Sequence, residues 1–335
     1  MRKRVAVFGI GRQFLEYVQE IGNVYDIVCL ADNDKTKQGN MWKKFKILSI
    51  EEMMTIPYDY VLVIPNYNKM DIINSLRVKG IPDEKIIPWV PQGSSRWGHV
   101  FVELREKDCL VHFDDVRFSC STTSDFICLE DVFVHNAYDF GINSSGKSAV
   151  MVDIGMNIGL TALFFANMPF IDKVYAYEPV TSTYECAVRN IAMNERLVSK
   201  IFLCNIGIGD QEKEAALLFD ADRSDCTSIF STAENEAPNV ARVKLSRASD
   251  VLTAVMERHP NSDIYVKINA EGAEYPILSD LHKSGLIRTV KIFIMDVHFG
   301  REREIKVPLS EAGFVYFDRY GKNGHSMFYA VNSRF

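Results

Sequence analysis

Short apolar runs alternate with amphipathic segments over the first 92 residues, a pattern typical of strands that alternate with helices. The apolar runs predict strands at residues 4–8, 26–30, 58–64 and 85–87. The segments between them predict helices at residues 12–21, 50–54 and 70–79. This order predicts a small Rossmann-like α/β domain over residues 1–92.

The same alternation resumes near residue 150 and continues to the end of the chain. Apolar runs predict strands at residues 150–154, 173–177, 200–204, 263–268 and 290–295, and a closing hairpin at 315–320 and 326–331. Helices are predicted from residue 158, from a capping-box pattern at 182–185, near residue 249 and at 274–281. Residues 141–335 are therefore predicted to form an α/β domain with five parallel strands and an antiparallel hairpin.

Residues 93–140 are predicted to hold a linker and a packing segment. Gly and Ser at 92–98 favour the linker, and residues 100–104 and 109–113 predict short strands. The apolar segment 126–133 suits a helix that packs over the second domain. Residues 141–147 run into a Gly-Lys-Ser sequence, but a strand follows where a P-loop needs a helix, so a plain loop is favoured.

A glycine-rich turn follows the apolar run 150–154 and carries the first candidate site. Gly155, Asn157 and Gly159 alternate through this turn. Glycine and asparagine reach positive φ more readily than other residues, so a ligand can lie directly over the backbone. Asp153, at the end of the strand, is placed to hold a cationic or hydroxyl-bearing group.

Glu178 ends the next predicted strand, where an acid can accept hydrogen bonds from both hydroxyls of a ribose. Because ligands bind at the carboxyl ends of parallel strands, Glu178 and the turn together describe a nucleoside site. The phosphate-binding glycine order GxGxxG is absent from the turn, which instead has the pattern DxGxNxG. This pattern favours a nucleoside with a positive, zwitterionic end, such as S-adenosylmethionine, over a dinucleotide.

Three segments resemble, in order and spacing, the motifs of FkbM-type methyltransferases. They are Val-Asp-Ile-Gly-Met-Asn-Ile-Gly at 152–159, Ala-Tyr-Glu-Pro at 176–179 and Lys-Ile-Asn-Ala-Glu-Gly-Ala-Glu at 267–274. The resemblance covers residues 124–332 and implies a class I methyltransferase sheet with S-adenosylmethionine as cofactor. It also implies O-methylation of a sugar hydroxyl in a surface glycan, or in its nucleotide-linked or lipid-linked precursor.

The resemblance implies further cofactor residues. Asn205, Ile206 and Asp210 would surround the adenine, although Asp210 equally suits a turn. Asn269 stands where the family pattern K-x-D-x-E-G has an aspartate, and asparagine cannot accept a proton as a base. We take Asn269 as a cofactor ligand. Its identity leaves an alternative open: a nucleotide or nucleotide-sugar binding protein whose methyltransferase domain is inactive.

Candidate acid–base residues follow the fourth and fifth predicted strands of the second domain. His298 is a candidate base because the ordinary histidine pKa lies near neutral pH, or it is a hydrogen-bonded strand-end residue. Glu271 suits binding of a sugar hydroxyl or capping of the next helix. Lys267 suits a catalytic role or an ion pair with a neighbouring acid, and Asp296 is a further candidate.

The first domain carries a weaker nucleotide motif. Gly9 and Gly11 form part of a dinucleotide fingerprint, but Phe14 occupies the third glycine position. Asp32 would face the ribose of a nucleotide, nucleotide sugar or CoA; alternatively, the turn has its glycines for backbone reasons alone. The domain resembles small nucleotide-binding domains of sugar-modifying proteins in surface-polysaccharide pathways. Phe14 argues against a working NAD site.

Composition argues against several other classes of protein. The chain of 335 residues is 47% hydrophobic and 24% charged, with a formal net charge of −6, which does not suggest a nucleic-acid partner. Its 7 cysteines form no CxxC pair, which indicates reduced thiols and a cytoplasmic location. No apolar run is long enough to span a membrane. No His, Cys or carboxylate group has the spacing of metal ligands, so no metal is expected. The expected partner is a small-molecule or glycan substrate. The sequence does not decide whether the chain forms a homo-oligomer.

Overall fold

The computed structural model describes residues 2–92, 100–139, 147–218, 240–298, 301–322 and 325–334. The chain divides into two compact units, Met1–Glu130 and Asp131–Phe335. Most of the predicted linker and most of the predicted loop at 141–147 lie outside the described residues. The domain limits at residues 92 and 140 stay predictions.

The first unit is built on a mixed six-stranded sheet in the order β3-β4-β2-β1-β5-β6. Its strands are β1 (Arg4–Phe8), β2 (Asp26–Ala31), β3 (Met41–Trp42), β4 (Phe45–Leu48), β5 (Tyr60–Val63) and β6 (Ile86–Pro88). Its helices are α1 (Arg12–Val24), α2 (Ile50–Met54) and α3 (Lys69–Val78). All neighbouring strands are parallel except β3, which forms an antiparallel hairpin with β4. The predicted alternation of parallel strands and helices is confirmed, and the hairpin is an addition to it. The Rossmann-like assignment of this unit stays a prediction.

A small antiparallel sheet completes the first unit. It consists of β7 (Val100–Leu104), β8 (Cys109–Phe113) and β9 (Val116–Cys120), in that order. The two strands predicted in this region are confirmed. Helix α4 (Thr123–Leu129) follows and continues as a π-helical turn, Glu130–Val134, so the prediction of helix at 126–133 is also confirmed.

The second unit contains a seven-stranded sheet in the order β12-β11-β10-β16-β17-β19-β18. Its strands are β10 (Ala149–Ile154), β11 (Ile171–Tyr177), β12 (Ile201–Cys204), β16 (Asp263–Ile268), β17 (Val290–Val297), β18 (Phe314–Lys322) and β19 (His325–Asn332). The first five are parallel, and β19 and β18 run antiparallel at the edge. The predicted sheet of five parallel strands and a closing hairpin is confirmed.

Helices cover this sheet, and three further strands form a small sheet of their own. The strands are β13 (Gly207–Gly209), β14 (Lys213–Leu218) and β15 (Val240–Arg247), in the order β13-β15-β14. The helices are α5 (Leu160–Ala166), α6 (Thr181–Ala192), α7 (Glu195–Val198), α8 (Ala248–Arg258), α9 (Glu274–Lys283) and α10 (Glu302–Ala312). The predicted capping box at 182–185 is wrong, because α6 begins at Thr181 and Val180 precedes it without a side-chain cap.

Burial explains why β10 and β16 lie at the centre of the sheet. Every residue of both strands is buried, as expected for parallel strands with helices on each face. Strand order reverses between β10 and β16, so the loops after these strands leave the same edge in opposite directions. Such a switch point opens a crevice at the carboxyl ends of the strands. Within the described ranges, no helix is long and apolar enough to cross a bilayer.

Candidate functional site

The turn after β10 has the backbone conformation that its sequence predicts. Gly155, Asn157 and Gly159 all have positive φ, at 76°, 53° and 89°. A Cβ atom on Gly155 would lie 1.8 Å from the carbonyl oxygen of Asn269, which follows β16. Only glycine therefore fits at position 155, and the turn packs directly against the end of the neighbouring strand.

Asp153 lies beneath this turn and is completely buried. Its Oδ2 accepts a hydrogen bond from Thr161 Oγ1 at 2.6 Å, and its Oδ1 lies 2.9 Å from Lys267 Nζ, in ion-pair rather than hydrogen-bond geometry. The carboxylate thus holds two protein groups, and its predicted contact with a ligand stays a prediction.

Lys267 is the partner of this buried ion pair and is 1% exposed. Its Nζ also donates to the carbonyl oxygens of Ile154 and Gly155, at 3.3 and 2.6 Å. It therefore ties β16 to the end of β10. Of the two sequence interpretations, the ion pair with a neighbouring acid is the one seen, and the catalytic role of Lys267 stays a prediction.

Glu178, at the end of β11, reaches across to the same turn. Its Oε2 accepts from the backbone N–H of Asn157 at 3.1 Å, and its Oε1 accepts from that of Val180 at 3.0 Å. Burial raises the pKa of Glu178 to about 7, although these two N–H groups lower it in part. A carboxyl group with spare lone pairs thus lies beside the glycine turn, as the sequence predicts.

The predicted adenine residues lie further along the same edge of the sheet. Asn205 donates from Nδ2 to the carbonyl oxygens of Glu178 and Pro179, at 2.9 and 3.1 Å, and so joins the ends of β11 and β12. Ile206 follows it and is half-buried. Asp210 lies beyond β13, is exposed, and has an oxygen 4.0 Å from Lys213 Nζ. Binding of adenine by these three residues stays a prediction.

The loop after β16 is shaped by a glutamate that sequence analysis assigned no role. Glu274 is 0% exposed, and its Oε1 and Oε2 accept from the backbone N–H groups of Ala270 and Gly272, at 2.9 and 2.7 Å. Glu271, between these two N–H groups, has a φ of 47°, a left-handed conformation that is rare for glutamate. Its side chain is 20% exposed, so its carboxylate is accessible from solvent.

His298 is buried among three carboxylates. Its Nδ1 lies 3.1 Å from Glu274 Oε1, and its Nε2 lies 3.4 Å from Glu271 Oε1 and 3.8 Å from Asp296 Oδ2. Burial lowers the pKa of His298, but the hydrogen bond to Glu274 and the charges of Asp296 and Glu271 outweigh it and raise the pKa to about 9. An ordinary histidine has a pKa near neutral, but with this raised pKa the His298 ring is an imidazolium at pH 7.

Tyr138 is a second site residue that sequence analysis missed. Its hydroxyl lies 3.4 Å from Asn269 Nδ2, and its ring lies 5.7 Å from Lys267 Nζ. Asn269 itself donates its backbone N–H to Ile154 at 3.0 Å, and its role as a cofactor ligand stays a prediction. Glu274 could have been found from its place in the motif 267–274, whereas Tyr138 lies far from any motif in sequence.

A separate cleft of about 750 Å³ lies in the first unit, at the carboxyl ends of β1, β2 and β5. Gly9, Gly11 and Asp32 all line it, together with Arg12 and Lys37. The strand order reverses between β1 and β5, so this cleft also occupies a switch point. The structure therefore brings the three predicted residues of the first domain together.

The Asp32 carboxylate is hydrogen-bonded mainly to neighbouring protein groups. Its Oδ2 accepts from the Ile10 N–H and from Lys37 Nζ, at 2.8 and 2.9 Å, and its Oδ1 accepts from the Asp34 N–H at 2.9 Å. Gly9 has a φ of 93°, and a Cβ there would lie 2.2 Å from the Pro65 ring. Backbone requirements thus explain Gly9, and contact of Asp32 with a ribose stays a prediction.

Acidic side chains surround His298, the arrangement in which a metal site would be sought. Among the residues that the structure describes, no group of three or more His, Cys, Asp or Glu side chains is arranged to hold a metal ion.

Two family models match the chain. Residues 153–318 match the methyltransferase FkbM domain, and residues 1–87 match a family described as C2185-like, N-terminal. The chain is similar to methyltransferase sdnD of Sordaria araneosa, with 23% identity over 211 residues that cover 55% of this chain and 80% of that protein. The N-terminal match says nothing of sugar-pathway proteins, so that resemblance stays a prediction.

Solved methyltransferase structures are also similar to the chain. The structure of methyltransferase FkbM from Methylobacillus flagellatus KT has a TM-score of 0.41 and 13% identity, over 98% of this chain and 90% of that one. M. jannaschii TYW2 in complex with AdoMet has a TM-score of 0.38 and 15% identity, over 68% of this chain and 87% of that one.

Proposed function

We propose that this chain, which carries a methyltransferase domain of the FkbM family, is an S-adenosylmethionine-dependent O-methyltransferase. The acceptor that we propose is a sugar hydroxyl of a surface glycan or of its nucleotide-linked or lipid-linked precursor, methylated in the cytoplasm. The observation that carries the cofactor proposal is the positive-φ turn after β10 beside the buried carboxyl of Glu178.

The residues at this edge fit the cofactor. Each carboxyl oxygen of Glu178 accepts one backbone N–H and retains a lone pair for a ribose hydroxyl. The positive φ of Gly155 and Gly159 gives the turn its shape beside Glu178, and a methionine moiety would lie against the backbone of this turn. Bound here, the cofactor would supply an electrophilic methyl group.

The chain's own residues would align the acceptor hydroxyl and take its proton. Glu271 and Asp296 have side chains that are 20% and 26% exposed, whereas His298 is 2% exposed. We therefore propose that one of these two carboxylates, Glu271 or Asp296, meets the acceptor hydroxyl as general base. The His298 imidazolium would keep these carboxylates ionised.

Calorimetric titration with S-adenosylmethionine and S-adenosylhomocysteine tests the cofactor site. We expect micromolar binding, which Glu178→Gln weakens at least tenfold, or about 1.4 kcal/mol. Glu185→Gln, an exposed change on the following helix α6, is the matched control and should leave affinity unchanged. A wild-type protein that binds neither compound would contradict the proposal and favour the alternative of an inactive methyltransferase domain, which Asn269 motivates.

We also propose that the cleft of the first unit binds a nucleotide or nucleotide sugar. Its volume of about 750 Å³ lies in the range of small-molecule sites, and it occupies the switch point where α/β sheets bind ligands. Arg12 and Lys37 line it and can pair with phosphate.

Titration with ADP, UDP, UDP-glucose and NAD⁺ tests the cleft. We expect at least one of them to bind, and Arg12→Ala to weaken that binding. Lys35→Ala, an exposed change close by that does not line the cleft, should leave it unchanged. If none of the four compounds binds at millimolar concentration, the turn has its glycines for backbone reasons alone.

A further inference from the structure

Glu274 joins two parts of the candidate active site through one buried carboxylate. Its two oxygens accept from the N–H groups of Ala270 and Gly272, and Oε1 also lies 3.1 Å from His298 Nδ1. All of its hydrogen bonds that the structure gives go to the loop after β16 and to the residue that follows β17. A fully buried carboxylate with such partners fixes their geometry, because losing any of them would leave it unsatisfied.

The loop that Glu274 holds contains a strained residue. Glu271 has a φ of 47°, and the next residue, Gly272, has a φ of 99°. A left-handed conformation at a side chain without local hydrogen-bonding benefit is unfavourable and persists only when its surroundings enforce it. The two N–H groups that flank Glu271 on either side are the ones that Glu274 binds, so Glu274 supplies that enforcement.

The same carboxylate also orients the His298 ring. Because Nδ1 faces Glu274, Nε2 is directed to Glu271 at 3.4 Å and to Asp296 at 3.8 Å. Tyr275 holds the backbone of His298, because its hydroxyl donates to the His298 carbonyl oxygen and accepts the Arg301 N–H. Orientation of Nε2 toward the accessible carboxylates therefore depends on Glu274.

We propose that Glu274 is a positioning residue of the methyltransferase site: it clamps the backbone of Glu271 in the left-handed conformation and holds His298 as the charged partner of that carboxylate. The inference rests on the proposed function only in assigning these residues to a methyltransferase site. The positioning itself is measurable without cofactor or acceptor.

Nuclear magnetic resonance of protein labelled at histidine nitrogens tests the orientation. In the wild type, one ring should carry both protons until about pH 9, and His298→Gln identifies its signal. Glu274→Gln should lower the pKa of that ring by about one unit or more, since it removes a hydrogen-bonded negative charge. The matched control Glu195→Gln, an exposed change on α7, should leave it in place. A ring that titrates identically in Glu274→Gln overturns the proposal.

A double-mutant cycle tests the clamp. Glu271→Gly removes the cost of the left-handed conformation, so it should raise the melting temperature. Glu274→Gln should lower the melting temperature by less in the Glu271→Gly background than in the wild type. Equal losses in both backgrounds overturn the clamp. If Glu274→Gln alone does not fold, the His298 titration is compared between Glu271→Gly and the double variant, because both lack the Glu271 charge that raises the pKa of this ring.

Binding of S-adenosylmethionine separates this inference from the proposed function. Glu274→Gln should still bind it, because Glu178 and the turn after β10 are unchanged. A wild type that binds no cofactor contradicts the proposed function, and the two experiments above still decide whether Glu274 positions Glu271 and His298.

Discussion

At the scale of single residues, close backbone contact makes position 155 specific for glycine. A Cβ there would lie 1.8 Å from the Asn269 carbonyl oxygen, at a φ of 76°. We expect Gly155→Ala to lower the free energy of unfolding by at least about 1–3 kcal/mol, the usual cost of a strained backbone conformation, measured by chemical denaturation. Gly209→Ala is the control, because its Cβ would only contact the flexible Leu245 side chain at 3.6 Å. Equal losses in both variants would contradict this prediction.

The buried ion pair gives a second prediction at this scale. Lys267→Met leaves Asp153 buried and without its cation, which typically costs about 3–5 kcal/mol of stability. The double variant Asp153→Asn, Lys267→Met removes both charges and should lose less than Lys267→Met alone. Denaturant unfolding of the three proteins measures this. A double variant as unstable as the single one would show that the charge pair is not the cause.

Glu178 gives a prediction about pH. Its pKa in the fold is about 7, above its ordinary value of 4.5, so the folded protein binds this proton more tightly than the unfolded chain does. The stability that this proton contributes is complete below pH 4.5 and is lost as pH rises to about 7. Glu178→Gln should therefore gain stability relative to the wild type between pH 4.5 and 7.5, by up to about 3 kcal/mol. A constant difference between the two proteins would count against the shift.

The sequence predicts which residue types lie at the candidate site, but it does not predict the neighbours that surround them. The turn glycines and Glu178 were found because their backbone and chemistry are local properties. The pairing of Asp153 with Lys267, and the charge on His298, depend on neighbours that lie far apart in sequence. The sequence therefore predicts the residues of the candidate site, whereas their protonation states need the fold.

At the scale of secondary-structure elements, Lys69 joins the ends of two strands. It is 1% exposed, and its Nζ donates to the carbonyl oxygens of Val63, Ile64 and Trp89, at 3.0, 3.1 and 2.8 Å. Lys69→Met leaves these acceptors without their donor, so we expect a loss of about 2–4 kcal/mol in thermal or chemical unfolding. Lys35→Met, at an exposed position, should change stability by less than about 0.5 kcal/mol. Similar losses in both variants would contradict this role.

Strands were predictable where they are buried on both faces, because their apolar runs are continuous. Strand β16 has its predicted limits, residues 263–268. The hairpin β3–β4 was missed because its strands, of 2 and 4 residues, are too short to show such a run. Helix α10 was also missed, since it contains Pro308, which is unfavourable inside a helix.

At the scale of the whole molecule, each unit has a hydrophobic core of its own. Scanning calorimetry should therefore show two unfolding transitions. S-adenosylmethionine should stabilise one unit by a free energy of RT ln(1 + [L]/Kd). It should therefore raise the midpoint temperature of one transition and leave that of the other unchanged. Equal shifts in both transitions would contradict binding confined to the second unit.

The order of elements was enough to predict the fold class, because five βα units and a hairpin leave few arrangements of the sheet. The acceptor was not predictable to the same degree. Its recognition depends on which exposed groups converge in space, and fold alone does not fix this.

The carboxylates around His298 also bear on turnover. Glu271, Glu274 and Asp296 with one imidazolium have a formal charge of −2. In the proposed reaction the cofactor arrives with a sulfonium cation and leaves as a neutral thioether. A net negative charge in the candidate site attracts the cationic cofactor more strongly than its neutral product, so methyl transfer itself weakens binding of the product. The enzyme would then exchange its cofactor readily, and added salt would blunt this preference.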